Sequence, residues 1–298
     1  GGGRAPCCQR RRPVPDDAVG NVRQRRNLED VEFFYYDSLD RLESVTRSPA
    51  SGGPSTEVER YGYGLVGNMT NNSLVGSYQY GQPDGTLPHA VTVAGPCTYE
   101  YDDTGNTEAR ACPSLPGGQQ SIAYTASGMP HSFDLGADGV TDVLYRYDAN
   151  HARVGREGPD GTTVYSGDAY QRVSPSAGPV EHRIGVYANG RQVAQLLVDG
   201  FGAQEAVYLH TDTLGSVLVG TNEDGTIAFE QAFTAFGDRA AGTTAPSKFS
   251  RGFAGLEHDD AVGSLLLTAA RLYDTKIGRF LSPDPVMAAP FSSQSQDR

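Results

Sequence analysis

The chain has 298 residues, 38% of them hydrophobic, with 37 Gly, 18 Pro, 16 Tyr and a formal net charge of −12. Its length permits one large or two ordinary domains, and the acidic balance argues against nucleic-acid binding over the body of the chain. No signal-peptide core is visible in residues 1–30, and the apolar run at 264–270 falls far short of the ~20 residues of a membrane span.

Residues 1–19 read as a disordered or junction arm, with three prolines at 6, 13 and 15 and no periodicity. Arginines 4, 10, 11, 12, 23, 25 and 26 outnumber the acids Asp16, Asp17, Glu29 and Asp30 there. A solvated terminus accounts for this better than an RNA- or lipid-binding arm. The chain holds twenty-two arginines and only two lysines, Lys248 and Lys276. That skew fits codon bias and carries no functional reading.

Structure begins at Gly20-Asn21-Val22-Arg23. Glu32-Phe33-Phe34-Tyr35-Tyr36, the turn Asp37-Ser38-Leu39-Asp40 and Leu42-Glu43-Ser44-Val45 then read as strand, turn and strand. The phrase recurs at Tyr61-Gly62-Tyr63, Tyr78-Gln79-Tyr80, Tyr99-Glu100-Tyr101-Asp102-Asp103-Thr104-Gly105-Asn106, Tyr124 and Tyr145-Arg146-Tyr147-Asp148. Anchor tyrosines at 80, 101, 124, 147 and 170 are separated by 21, 23, 23 and 23 residues. Periods of this size mark stacked supersecondary units, and the Gly, Asn, Asp or Pro inside each unit excludes a helix. In Tyr-x-Tyr-Asp the two rings share a face. The Asp side chain then caps amides of a tight turn, and Gly or Asn supplies positive φ. A single hairpin is barely stable, but a row of them makes a sheet.

Pro83-Asp84-Gly85, Pro159-Asp160-Gly161, Asn189-Gly190 and Glu223-Asp224-Gly225 add turn signals, and Asn189-Gly190 predicts a tight hairpin. No composition break separates 150 from 208, so one repeat sheet is expected over 20–207. The four cysteines make no framework at this length. Cys97 and Cys112 are fifteen apart and are expected as free thiols rather than a bridge between neighbouring strands. The absence of CxxC makes a structural zinc site improbable, and no cofactor or phosphate-binding spacing occurs.

The last third is denser. His210 and Asp212, on one face of a strand, offer an acid–base or metal pair, against the plainer reading of a strand-end hydrogen bond. Glu257-His258-Asp259-Asp260 offers a metal cluster, against a solvated acidic loop. Gly215-Ser216 lacks the flanks of a nucleophile elbow.

The units at 36–42 and 101–106 resemble the YD repeats of bacterial Rhs proteins. The block Tyr208, His210, Asp212, Leu214, Gly215, Ser216, Gly237, Gly252, Gly255, Tyr273, Asp274, Gly278, Arg279, Phe280, Asp284 and Pro285 is similar to the Rhs-associated core. The resemblance covers about residues 20–298 and extends to toxin-complex C components and teneurins. It implies an all-β fold of repeated antiparallel hairpins in a curved, spiralling sheet. The chain length further predicts an incomplete, open shell. It also implies that 208–298 forms a core, truncated at its C-terminal end, that plugs a shell around a C-terminal toxin or effector. Secretion machinery follows as a partner, and secretion or the cell surface as the location. The alternatives are a glycan-binding adhesion module and an aspartyl self-cleaving core. For the latter the resemblance carries over Arg279 and Asp284, because that chemistry needs two carboxyls in one site. Asp40 stands where the repeats have Gly, and Gly64 where they have Asp, so these two units are expected to have decayed.

Overall fold

The computed structural model describes residues 16–26, 30–82, 85–241, 243, 246, 248–263, 265–268 and 271–284. The basic residues 4 and 10–12, Cys7, Cys8, Pro83, Asp84 and Pro285 lie outside the described residues. Twenty strands, from Gln24–Arg26 to Ile227–Glu230, follow in chain order, each antiparallel to the next. They form one 20-stranded sheet, and among the described residues no pairing joins its first strand to its last, so it is open. A second sheet of four short strands follows: Glu257–Asp259, Leu265–Leu267, Leu272–Asp274 and Arg279–Phe280. The sole helical turns among the described residues are Phe253–Gly255 and Asp260–Val262.

The unit is built as its residues dictate. In the hairpin of Cys97–Tyr101 and Thr107–Ala111, Asp102 Oδ1 accepts the amides of Thr104 (2.9 Å) and Asn106 (2.8 Å). Gly105 closes the turn at φ +85°, a conformation that costs a Cβ-bearing residue energy. Asp37 and Asp148 cap their turns in the same way. The two units with departures have not decayed. Asp40 itself adopts φ +59°, and the Gly64 turn keeps its backbone bonds, Gly64 N to Asn68 O at 2.8 Å and Gly67 N to Gly64 O at 3.1 Å.

The second tyrosine of each unit joins it to the unit before. Tyr36, Tyr63, Tyr80, Tyr101, Tyr124 and Tyr147 donate their hydroxyls to the carbonyls of Val22, Leu42, Met69, Val91, Thr107 and Pro130, at 2.7–2.9 Å. Each acceptor from Leu42 onward is the cross-strand partner of the preceding tyrosine: Tyr36 opposes Leu42, Tyr63 Met69, Tyr80 Val91, Tyr101 Thr107 and Tyr124 Pro130. Every one of the six tyrosines also follows a register shift in its own hairpin. A bulge re-aims the side chain it precedes, here towards the neighbouring unit. Burial pushes the hydroxyl pKa of Tyr36, Tyr124 and Tyr147 up, so these groups stay donors at neutral pH.

Two residues before each of these tyrosines lies the deep position of the unit: Phe34, Tyr61, Tyr78, Tyr99, Ile122 and Tyr145, all buried. They form one cluster with Val262, Leu265, Leu272, Ile277 and Leu281. The strands from Asp30–Tyr36 to Val143–Tyr147 would stretch about 50 Å if laid flat. Sharing one cluster with a short C-terminal segment therefore requires the sheet to curl around that segment.

Two expectations are corrected here. Tyr170 is not an anchor: its strand meets the next without a register shift, opposite Ile184, and its hydroxyl lies 2.7 Å from His182 Nδ1. Cys97 and Cys112 are joined as a disulfide across neighbouring strands, because the hairpin register sets them opposite each other. The Asn189-Gly190 hairpin is present, with both residues at positive φ.

Loss of one tyrosine hydroxyl should cost about 1 kcal/mol, the net worth of a hydrogen bond. Urea denaturation of Tyr101→Phe and Tyr124→Phe should show this loss, whereas Tyr208→Phe, on a half-exposed ring, should shift stability by less than about 0.5 kcal/mol.

Candidate functional site

The site is the inner face of the sheet, where the segment 231–284 is held by side chains from one hairpin after another. The deep tyrosines reach it first. Tyr78 donates to Ile277 O (3.1 Å), Tyr99 to Asp274 Oδ2 (3.3 Å), Tyr145 to Asp259 Oδ2 (2.7 Å) and Tyr165 to Glu257 Oε1 (3.0 Å).

Arginines on the return strands supply the charges. Arg156 grips Asp259 with two bonds, at 2.6 and 3.0 Å. Arg153 pairs with Glu257 at 2.7 Å and lies between the rings of Tyr145 and Tyr165, 5.1 and 4.4 Å from their centroids. Arg110 pairs with Asp274 at 2.8 Å and also donates to Gln120 and to Val262 O. Burial pushes the Asp259 carboxyl up, but the Arg156 bonds and charge outweigh it and hold the group below the usual range.

Residues 233–239 meet two carboxyls of opposite tendency to these, the buried Glu59 of the sheet and their own half-buried Asp238. Glu59 accepts the Ala235 amide at 3.0 Å and the Tyr61 hydroxyl. Asp238 accepts the Arg239 amide at 3.1 Å. Burial pushes both Glu59 and Asp238 up, with Glu32 and Asp274 respectively adding to the effect. Phe236 packs edge-on against Tyr61, with centroids 4.9 Å apart.

Many of the residues singled out in the sequence meet in a packed knot. Asp212 Oδ1 accepts the Ser216 amide (2.8 Å), Gly215 closes that turn at φ +91°, and Ser216 Oγ accepts the Ala254 amide (3.1 Å). A Cβ at Gly252 would lie 2.6 Å from His258 Nε2 and 2.8 Å from the Phe233 ring, and one at Gly237 would lie 2.5 Å from the Phe253 ring. Gly255 backs onto Gly215 O, and Gly278 onto Phe236. Tyr273 packs edge-on to Phe280 at 5.2 Å. Tyr208 and Leu214 are half-exposed and contribute little to this packing.

His210 and Asp212 do not share a face: the strand ends at Thr211, so His210 is exposed against Thr221 Oγ1 (3.0 Å) while Asp212 lies in the turn and is buried. Residues 257–260 are no solvated loop. Glu257–Asp259 is a strand whose carboxylates meet Arg153 and Arg156, and Asp260 meets Arg239 at 3.3 Å. His258 accepts the Phe253 amide at Nε2 (3.1 Å), and burial together with Arg239 pushes its pKa down to about 3. Among the described residues no three His, Cys, Asp or Glu side chains are placed to hold a metal ion.

Arg279 and Asp284 face different groups. Arg279 donates to His89 O (2.9 Å) and lies over Tyr80, 5.5 Å from the ring centroid. Asp284 pairs with Arg271 at 3.0 Å, and Arg271 lies 3.6 Å from the Phe280 centroid. Arg110, Arg153, Arg156, Tyr165 and Glu59 were not singled out in the sequence, and Tyr145 was read there as a repeat tyrosine without its tie to Asp259. The available signal was an arginine at an inward position of a return strand, together with the arginine skew assigned above to codon bias.

Removing one partner of a buried pair strands the other charge, so Asp259→Ala should cost about 3–5 kcal/mol in urea denaturation, against under about 1 kcal/mol for Asp284→Ala at its half-exposed pair. The raised carboxyls give a second expectation. A folded pKa above the unfolded one contributes stability present below the unfolded pKa and lost as pH rises through the folded pKa. Stability should therefore fall from the ordinary carboxylate range towards neutrality, and Glu59→Gln should flatten that slope. An unchanged pH profile in the variant would contradict this.

The structural matches include a TcdB2–TccC3 complex lacking its hypervariable C-terminal region, at 16% identity and TM-score 0.49 over 91% of this chain. They also include a Tc holotoxin pore from Photorhabdus luminescens, at 17% identity and TM-score 0.45 over 91% of this chain. The chain spans 18% of the length of each of those chains. Among curated proteins none matches. A family model described as Teneurin YD-shell matches residues 20–296, nearly the whole chain, and the chain therefore belongs to the teneurin YD-shell family.

Proposed function

We propose that this chain is a structural module of a YD shell, one that closes part of the shell and serves to hold or present an effector polypeptide carried on the same protein. The observation that supports this reading is the self-occupied inner face. Tyr78, Tyr99, Arg110, Tyr145, Arg153, Arg156 and Tyr165 all engage residues 257–277 of the chain itself. A face used in this way supports closure better than it supports turnover of a small substrate. The carried effector and its delivery by secretion machinery rest on the Rhs resemblance of the repeats and core.

A glycan-binding role has less support. Stacking platforms need exposed rings, and among the described residues only Tyr35, Tyr187, Phe201 and Tyr208 are exposed large aromatics. The other described tyrosines lie with their rings buried or half-buried in the sheet.

Limited proteolysis of a longer chain, carrying its flanking segments, tests the shell role. A C-terminal passenger should resist protease while the shell is folded and become cleavable when Asp259→Ala loosens the inner segment. A passenger cut as fast in the wild type as in isolation would overturn the reading. The same chain decides the self-cleavage alternative: processing abolished by Asp284→Asn would support an aspartyl mechanism, and an unprocessed wild-type chain would rule it out.

A further inference from the structure

Cys97 and Cys112 lie at the open end of one hairpin. Thr98 opposes Ala111 in the register, so the cysteines are the next opposed pair, with Cα atoms 4.3 Å apart. This is the close spacing of a non-hydrogen-bonded antiparallel pair, where side chains approach most nearly. Both residues are buried, at 0% and 4% exposure, in the cluster that contains Val262, Leu265 and Leu272 of the inner segment.

The same two strands carry the groups that receive the inner segment. Tyr99 and Arg110 both bond Asp274 Oδ2. Beyond Cys112, Ser114 Oγ lies 3.3 Å from the Cys112 Sγ and accepts a hydrogen bond from Lys276 Nζ at 2.7 Å. The disulfide thus fixes the hairpin on which Asp274 and Lys276 dock, and the docked segment covers the disulfide.

We propose that Cys97–Cys112 is an oxidative latch, formed in an oxidising compartment before residues 257–281 dock and shielded from reductants once they have docked. The forming step is exchange with a small disulfide such as oxidised glutathione. The two cysteine thiols give up two electrons to the donor disulfide, one S–S bond forms as the other breaks, and the two protons leave on the two released glutathione thiols. A reducing cytosol would hold the pair as thiols, and the receiving hairpin would then lack its cross-link. This inference does not depend on what the shell encloses.

The test uses the full chain refolded in a glutathione redox buffer. Denaturation without reductant, iodoacetamide labelling and peptide mapping should find Cys97 and Cys112 unlabelled and linked to each other. In the native protein, dithiothreitol should reduce the bond at least ~10-fold more slowly than in urea, because access requires local opening. Asp274→Asn should narrow that gap. Hydrogen exchange of the amides in 272–281 should quicken after reduction, and in the Cys97→Ala/Cys112→Ala pair it should be quick without reductant. If Asp274→Asn does not fold, the alanine pair and the wild-type rates still decide the matter. Both thiols labelled in the unreduced protein, a link from either to Cys7 or Cys8, equal reduction rates in native buffer and urea, or exchange indifferent to reduction would each overturn the proposal.

Discussion

The hydroxyl-to-carbonyl bond between one repeat and the next is the constraint on which the rest of this structure depends. Each tyrosine from Tyr63 to Tyr147 donates to the residue that opposes the previous tyrosine, so the bonds form an unbroken series along one edge of the sheet. A lone hairpin is marginal in water. Here every turn end is fixed by its successor, which gives the nearest-neighbour coupling expected of repeat proteins. The bulge before each tyrosine is part of the device, because it aims the ring at the neighbouring unit rather than at solvent.

That constraint also places the interior. With the second tyrosine fixed, the residue two positions earlier must lie on the same face and further from the turn. The deep tyrosines there find acceptors on the inner segment at 257–277, and the arginines opposite them find carboxylates. Buried pairs of this kind stabilise little in net terms, but an unpaired buried charge is costly. Their effect is therefore to penalise wrong registers of the inner segment. Guanidinium suits this role because it binds carboxylates through two parallel bonds, as Arg156 does with Asp259, and stacks on rings, as Arg153 does between Tyr145 and Tyr165.

The sheet was legible in the sequence because period-two alternation and Asx turns are local. Tyr99, Tyr101, Asp102 and Gly105 state their roles within a few residues of one another. The docking partners were not legible, because they are joined over 92 to 199 residues: Tyr165 to Glu257 and Tyr78 to Ile277 mark the limits among the deep tyrosines. His210 and Asp212 misled for a related reason. Strict alternation puts them on one face, but the strand ends at Thr211, and Asp212 turns inward to cap the Ser216 amide. Residues 257–260 looked solvated because they are four polar side chains in a row, while the arginine partners of Glu257 and Asp259 lie in a strand a hundred residues upstream.

A break in the tyrosine series at Tyr170 divides the sheet into two clusters. From Phe34 to Tyr145 the inward residues belong to one large cluster that includes the inner segment. Beyond Tyr165 the inward residues Leu197, Val207, Leu209 and Val217 form a separate, smaller cluster with Phe249. Tyr170 bonds His182 instead of a neighbouring carbonyl, and the bulged tyrosine that comes next, Tyr187, donates to Asp168 O at 2.9 Å from an exposed ring, with Arg191 and Gln195 adding bonds to Asp212 O and Lys248 O. Local opening follows the density of buried contacts, and the strands after Tyr170 share a smaller cluster, so they are expected to open before the interior pairs around Asp259 and Asp274. A firmly pinned first part and a more compliant second part follow from a break in the series at Tyr170, which has no register shift before it, while the bulged tyrosine that resumes at Tyr187 stays exposed.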